Sequence, residues 1–355
     1  MTNPNILLVG CAKDEAAYLP EWIFYHLSIG IKSIHVYVNN TRDNSVTILE
    51  KIAEHYPISF TVADQLITRD PEDFHDKTNE EFLVGNPIQA KCYIDAYQNV
   101  DPELFSHIAY LDVDEFLHPN SNLKRIVSPE SAKEPDIVKI GWFNLTGDTE
   151  LFAPLNKTEK GTADVFHKSI VRTGIPDLRI EDPHTCSSSG NTGIFSKEAI
   201  ILHRVLRSRK EYLFLLARST AEKKDILTNG FKKNRRGWTT KASSVYKKNA
   251  EIFEDYEINF KTFLDKCELS EELVIAQRRV LDKYTEVAEN LNSLNRQNNE
   301  LVRSLMGTGL YQVSIRSILI QRFIYHTIGA FFPDLVLNHI EVKTYFKSLL
   351  NIGRK

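Results

Sequence analysis

Short apolar runs and amphipathic helical stretches take turns along residues 6–140, and this rhythm restricts the fold more than any other feature. Ile6–Val9 closed by Gly10, Ile34–Val38, Ile58–Val62, His107–Leu111 and Ile137–Ile140 have the length and β-branched content of buried strands. Between them lie helical patterns. Over 16–30, Leu19, Trp22, Ile23, His26 and Leu27 share one face, with Pro20 in the first turn and Gly30 placed to stop it. Over 45–56, Val46, Leu49, Ile52, Ala53 and Tyr56 do the same, and a third helix is expected near 87–99. Strands alternating with helices of this length predict an α/β, Rossmann-like, mostly parallel sheet covered on both faces. Ligands of such sheets sit at the carboxyl ends of the strands. Chemistry is therefore expected in the loops CAKDE, NNTRD and DVDEF.

Beyond residue 150 the alternation fades, with short strands expected only at 168–172 and 199–203, which suits an α+β half that receives an acceptor. The last ~90 residues differ again. Leu273, Gln277, Val280, Tyr284, Val287, Leu291, Leu294, Asn298, Leu301 and Leu305 are spaced by four and three. Leu at d and a polar Asn at a favour a two-stranded parallel coiled coil, hence a homodimer or higher assembly through 273–305; a helix packed on its own domain is the alternative. The expected division is 1–250, 251–310 and 311–355. The mix of Ile315, Ile318, Leu319, Phe323, Ile324 and Ile328 with Arg316 and Arg322 suits a membrane surface or a buried partner face.

HIAYLDVDEFLHP carries the most chemical information. On extended chain, side chains at i and i+2 lie on one side, so Asp112 and Asp114 are expected to face one point. Two carboxylates that close call for a cation between them, and oxygen donors suit Mn²⁺ or Mg²⁺. Such an ion can hold the diphosphate of a nucleotide sugar and stabilise the charge that grows as the glycosidic bond breaks. Val113 and Glu115 are expected to point the other way. Residues 204–248 carry fourteen Lys or Arg against Glu211, Glu222 and Asp225. Within that tract Arg235 and Arg236 are candidates to bind the diphosphate or an anionic acceptor, and Trp238 to stack on a sugar ring or fill the core.

CAKDEAAYLPEWIFYHLSIGIKSIHVYVNNTRDNS resembles the opening of glycosyltransferase family 2-like and family 92-like domains, with Glu15, Glu21, Trp22, His26, Gly30, Asn40 and Asp43 matching. The similarity runs on through Gln89, YLDVDEFL, KSIVR at 168–172, DPH at 182–184 and LHRVLRSRKEYL at 202–213, and ends near 237, about two thirds of the chain. Asp14 departs from a common Asn, and Arg204-Val205 stands where a His-Tyr pair is common. The resemblance implies a GT-A fold, a divalent metal and an activated sugar donor, most readily a UDP-sugar. It places Cys11, Lys13, Glu15, Asn40, Asp43, Gln89, Asp112 and Val113 around that donor, with Asp43 accepting hydrogen bonds from uracil or ribose; a capping or turn role is the equal alternative, since Asn40 and Asp43 are good turn formers. The resemblance to GT-A glycosyltransferases also implies that a His of the second half completes the metal shell, with His203, closing the apolar strand AIILH, and His184, in the loop EDPHT, as rival candidates. It likewise makes Asp182 the candidate base for an acceptor hydroxyl. It implies a hexosyltransferase-like enzyme acting on a glycan or lipid-linked acceptor in surface polysaccharide or lipooligosaccharide synthesis.

Composition excludes less. A net charge of −3 does not suit a nucleic-acid binder, and the basic tract has no aromatic-basic module. Cys11, Cys92, Cys186 and Cys267 show no CxxC spacing, which suits reduced thiols in the cytoplasm, with peripheral contact at the inner membrane face as a further expectation. No signal peptide or spanning run is expected. Two other readings remain at this stage. A haloacid-dehalogenase-like phosphatase wants Thr or Val two residues past the second Asp, where Phe116 stands. An inactive transferase-like scaffold is at odds with the intact pair of aspartates.

Overall fold

The computed structural model describes residues 4–67, 78, 87–128, 135–189, 193–217 and 237–290. The chain divides into two compact units, residues 1–307 and 308–355, and every element below belongs to the first. The first half runs β1 (Ile6–Ala12), α1 (Leu19–Ser28), β2 (Ser33–Val38), α2 (Ser45–Ala53), β3 (Ile58–Val62), α3 (Pro87–Asn99), β4 (His107–Tyr110) and β5 (Glu115–Pro119). The second continues with β6 (Ile137–Leu145), β7 (Lys160–Arg172), β8 (Arg179–Ile180), β9 (Cys186–Ser187), β10 (Ile194–Phe195), β11 (Ala199–His203) and α4 (Arg209–Ala217). It ends in β12 (Ser244–Val245), α5 (Tyr256–Lys266) and α6 (Ser270–Asn290), with single helical turns elsewhere.

The main sheet has the order β3-β2-β1-β4-β7-β6-β11-β5, with β10 beside β6 and β12 beside β7. Its first four strands are parallel. β7 then enters antiparallel to both β4 and β6, β11 runs parallel to β6, and β5 closes the row antiparallel to β11. The α/β, Rossmann-like class expected from the sequence is thus the one observed. The order reverses between β1 and β4, and a crevice at their carboxyl ends is where such sheets take ligands.

The parallel strands are buried because α1 and α2 cover one face and α3 the other. Trp22, Ile23, Ile34, Ile48, Leu49 and Ile52 are 0 % exposed in the first core, as are Val9, Cys92, Tyr93 and Ile108 in the second. Full burial of each large apolar side chain stabilises the fold by roughly 1.5–3 kcal/mol. Gly10 is required by this packing: a Cβ there would lie 2.9 Å from the Trp22 indole and 3.3 Å from the Leu111 carbonyl oxygen.

The later helices wrap the same body. Phe24 of α1 meets Tyr256, Phe260 and Phe263 of α5 at ring-centroid distances of 5.3, 5.2 and 5.6 Å. Ala276 and Val280 of α6 are buried in the main core, and Val287 packs with Leu213 and Leu216 of α4. The described part of the a/d seam, 273–287, therefore lies against its own chain, as the intramolecular alternative had it. The remaining seam, 291–305, and the segment 311–355 lie outside the described residues. Among the described residues no helix is long and apolar enough to cross a membrane.

Candidate functional site

The acidic motif leaves β4 and bends at once. Leu111 N–H still donates to Val9 O, but Glu115 N–H then donates to Asp112 O at 2.9 Å, closing a β-turn over 112–115. The extended-chain expectation for Asp112 and Asp114 is corrected by this turn: the two carboxylates have different neighbours. β5 follows, a strand the sequence reading did not foresee, and α1 holds it. Trp22 Nε1 donates to Glu115 O at 2.8 Å, and Leu117 N–H donates to His26 Nε2 at 3.1 Å. His26 Nδ1–H in turn donates to Trp22 O at 2.8 Å. Burial pushes the His26 imidazole down to about 3, so it is neutral and can accept at Nε2. Glu21 meets the Arg204 guanidinium at 3.0 Å and accepts from Leu155 N–H at 2.6 Å. The Glu-Trp-x-x-x-His pattern is accordingly the frame of the site.

Asp112 Oδ1 accepts from Gln89 Nε2 at 2.8 Å, so Gln89 stands beside the motif as expected. Its Oδ2 lies 3.3 Å from Lys168 Nζ, a residue the sequence analysis did not single out. Lys168 is 1 % exposed and also meets Glu115 Oε2 at 3.1 Å, while Glu115 Oε2 accepts from Asp112 N–H at 2.9 Å. Burial alone would lower the Lys168 ammonium, but the carboxylates of Asp112 and Glu115 outweigh it and hold the proton on. Burial pushes the Glu115 carboxyl well up, against the pull of Lys168. One signal for Lys168 was present: a lysine opening the apolar run KSIVR. Its partners were not readable without the pairing of β7 to β4.

Asp114, 5 % exposed, has its Oδ2 3.7 Å from His203 Nε2. His203 Nδ1 lies 2.8 Å from Asn144 Oδ1, and Asn144 Nδ2 donates to Asp164 Oδ2 at 2.5 Å. The second bond fixes the amide so that its oxygen faces the imidazole; Nδ1 must then be the donor. His203 Nε2 is thus the ring atom turned towards Asp114 Oδ2, 3.7 Å away. His184 is held in the same tautomer, Nδ1 donating to His167 O at 3.2 Å, and burial lowers its imidazole to about 3. Trp142 lies between the two histidines, 5.0 Å from His184 and 4.2 Å from His203.

Among the described residues no group of three or more His, Cys, Asp or Glu side chains has the arrangement of a metal cluster. The Asp114–His203 pair nevertheless fits a dication in chemistry and span. With bonds of about 2.1 Å, two ligands of one ion are separated by roughly 3.0 Å when cis and roughly 4.2 Å when trans. The observed 3.7 Å lies inside that interval, and Asn144 supplies the outer hydrogen bond that ligating histidines need.

The loops after β1 and β2 are stitched into one rim. Asp14 N–H donates to Thr41 Oγ1 and Asp14 Oδ1 accepts from Arg42 N–H, both at 2.8 Å. Asp43 Oδ2 accepts from Ala16 N–H at 2.8 Å, and its Oδ1 from Thr41 Oγ1, Ser45 N–H and Ser45 Oγ at 3.0, 3.0 and 2.6 Å. Asp43 therefore spends its acceptor capacity on the fold. Asn40 sits in the left-handed region at φ 48°, which Asn tolerates. Lys13 is half-buried at this rim. Glu15 is buried 3.8 Å from Arg207, whose guanidinium covers the Tyr18 ring at 3.4 Å. The Cys11 thiol contacts Cys92, and that hydrogen bond and burial push it well up; Asp112 and Lys168 lie within electrostatic reach. The side chain of Val113 is buried, 1 % exposed.

Asp182 Oδ1 accepts from His184 N–H at 2.6 Å and Thr185 N–H at 2.9 Å, building the β8–β9 turn. Ser169 Oγ donates to His184 O at 2.9 Å and ties that turn to β7. Trp238 is committed too: Nε1 donates to Arg207 O at 3.0 Å, Arg209 lies 4.4 Å over its ring, and a Cβ at Gly147 would come within 2.4 Å. Of its two expected roles it fills space. Arg235 and Arg236 lie outside the described residues.

Comparisons with known proteins add little to this geometry. A scan of known protein families finds no match, and a search of curated proteins finds none either. Among solved structures the chain is similar to one titled "Crystal structure of S. aureus TarS 1-349", at 11 % identity and a TM-score of 0.32. That similarity covers 81 % of this chain and 91 % of the other. A score so low does not define the fold, which rests on the strand pairings above.

Proposed function

We propose that this chain is a GT-A glycosyltransferase that moves a sugar from a nucleoside-diphosphate donor to a hydroxyl-bearing acceptor. One observation carries the proposal. At the carboxyl ends of β4 and β11 in a Rossmann-like sheet, Asp114 Oδ2 and His203 Nε2 face each other 3.7 Å apart. Asp114 and His203 would hold Mn²⁺ or Mg²⁺, with Asp112 beside them. When bound, the ion neutralises charge on the leaving diphosphate.

The chain's own groups have separate tasks. Gln89 and Lys168 fix the Asp112 carboxylate from two sides, and Asn144 fixes the His203 ring. Lys168 adds a positive charge beside the crevice, where negative charge grows as the glycosidic bond breaks. For the acceptor's proton we keep Asp182, whose Oδ2 remains after Oδ1 is committed to the turn. His184 accepts at Nε2 beside it. The rim of Cys11, Lys13 and Asn40 is assigned to the nucleoside, and the donor assigned is a UDP-sugar.

The test is a thermal-shift series with UDP and Mn²⁺, alone and together. Together they should raise the midpoint, and Asp114→Ala should abolish the rise. An equal rise with UDP in the presence of a chelator would overturn the proposal, and so would no rise with any nucleoside diphosphate.

A further inference from the structure

We propose that Trp142 and Phe166, their rings inclined at 49° to each other, form an aromatic platform for a saccharide acceptor; this rests on the transferase reading above and names the acceptor class. The platform comes from an irregularity in the sheet. β6 and β7 pair Gly141 with His167 and then Phe143 with Ala163. Two steps along β6 thus match four along β7, and residues 164–166 bulge opposite Trp142. Bulges of this kind re-aim side chains and recur next to active sites. Here the bulge brings Phe166 to 5.4 Å from Trp142 and 5.4 Å from His184.

Phe166 is 46 % exposed, an unusual state for a large ring in the middle of a long strand. Trp142 is half-buried, and its Nε1–H has no hydrogen-bond partner among the described residues. The far side of Trp142 packs on His203, so the platform adjoins the Asp114–His203 pair. The His184 ring borders it, 5.4 Å from Phe166. An exposed ring beside a half-buried indole suits the apolar C–H face of a pyranose. A polyprenyl chain would call for a longer apolar groove without the two imidazoles. Trp238, the aromatic expected to stack on sugar, is covered by Arg209 and bonded to Arg207 O. The stacking role passes to Phe166.

The experiment uses the full chain on a printed array of neutral and acidic oligosaccharides, with UDP and Mn²⁺ in the buffer. UDP–Mn²⁺ thermal shift is measured in parallel. Phe166→Ala, and Phe166→Leu as a variant that keeps apolar bulk without the flat ring, should weaken glycan binding by about tenfold. Both should keep the thermal shift. Equal glycan binding by wild type and both variants would overturn the platform, as would a normal UDP–Mn²⁺ shift with no glycan bound. Glycan binding lost in both variants, in a protein that shows no UDP–Mn²⁺ shift, would sustain the platform and sink the transferase reading. Absence of both signals would overturn both.

Discussion

Replacing Lys168 by Met tests whether the buried cation holds the acidic turn together. Met keeps most of the length and volume of the side chain, so the cavity left is small and the cost is mainly electrostatic. The ammonium lies 3.3 Å from Asp112 Oδ2 and 3.1 Å from Glu115 Oε2. At an effective dielectric of about 20, a contact of this length is worth roughly 5 kcal/mol. Two considerations set the net effect below the sum of two such terms. Asp112 is 35 % exposed on its side chain, so water recovers part of its loss. Glu115 is 0 % exposed, and burial pushes its carboxyl up, so it need not stay charged once Lys168 is gone. Breaking a buried pair by removing one partner costs about 3–5 kcal/mol, and the lower half of that range is expected here. Glu115→Gln serves as the control. The amide oxygen can still accept from Asp112 N–H and Lys168, so the loss should stay below about 1 kcal/mol. The assay is urea unfolding at pH 7.5, comparing midpoints at constant slope. A Lys168→Met protein within about 0.5 kcal/mol of wild type would refute this electrostatic account. So would a Glu115→Gln protein that loses as much as Lys168→Met.

Three further outcomes are expected. Burial lowers His26 to about 3 and His118 to about 4, so below their unfolded value of 6.5 the unfolded chain takes up protons that the folded chain does not. Stability should be complete above pH 6.5 and fall on acidification by about 1.4 kcal/mol per pH unit per histidine; a urea midpoint unchanged between pH 6.5 and 5 would contradict it. Asp43→Ala removes the acceptor of four hydrogen bonds and should cost about 2–3 kcal/mol without any ligand present; a variant of normal stability that has lost only UDP binding would return Asp43 to the nucleoside. Gly10→Ala forces its new methyl to within 2.9 Å of Trp22 and should cost about 1–3 kcal/mol, read as a lower melting midpoint, whereas a midpoint at or above wild type would show that the indole moves aside freely.

Periodicity made the scaffold legible because it is a local property. Ile58–Val62 and Ala199–His203 appear with the bounds read from the sequence, and the first two helices lie within theirs. β5 was hidden because Glu115 opens it and Pro119 ends it, a pattern with little strand character in isolation. Glu115 can be buried there because Lys168 waits on a strand more than fifty positions along the chain. The pairing of β7 between β4 and β6 is what brings them together, and no local pattern encodes a neighbour in the sheet. The same limit applied to function. Asp43 and Trp238 each carried a structural reading beside a ligand one, and local chemistry could not choose between them; the hydrogen bonds seen are those of the structural role.

The Glu-Trp-x-x-x-His pattern shows why a motif can look functional without touching ligand. Trp22 and His26 lie one helical turn apart on α1, so both reach the same strand. Through Glu115 O and Leu117 N–H they set where β5 begins, and so where the 112–115 turn must end. Glu21, on the same helix, fixes Arg204, whose own N–H donates to Asp114 O at 2.7 Å. His203 is the residue before Arg204. One helix thus sets the position of Asp114 from β5 and that of its facing imidazole from β11. A shift of α1 would therefore move both members of the pair together and keep their 3.7 Å separation. On the metal-binding reading proposed above, that kind of shared mounting matters more than rigidity in either strand alone.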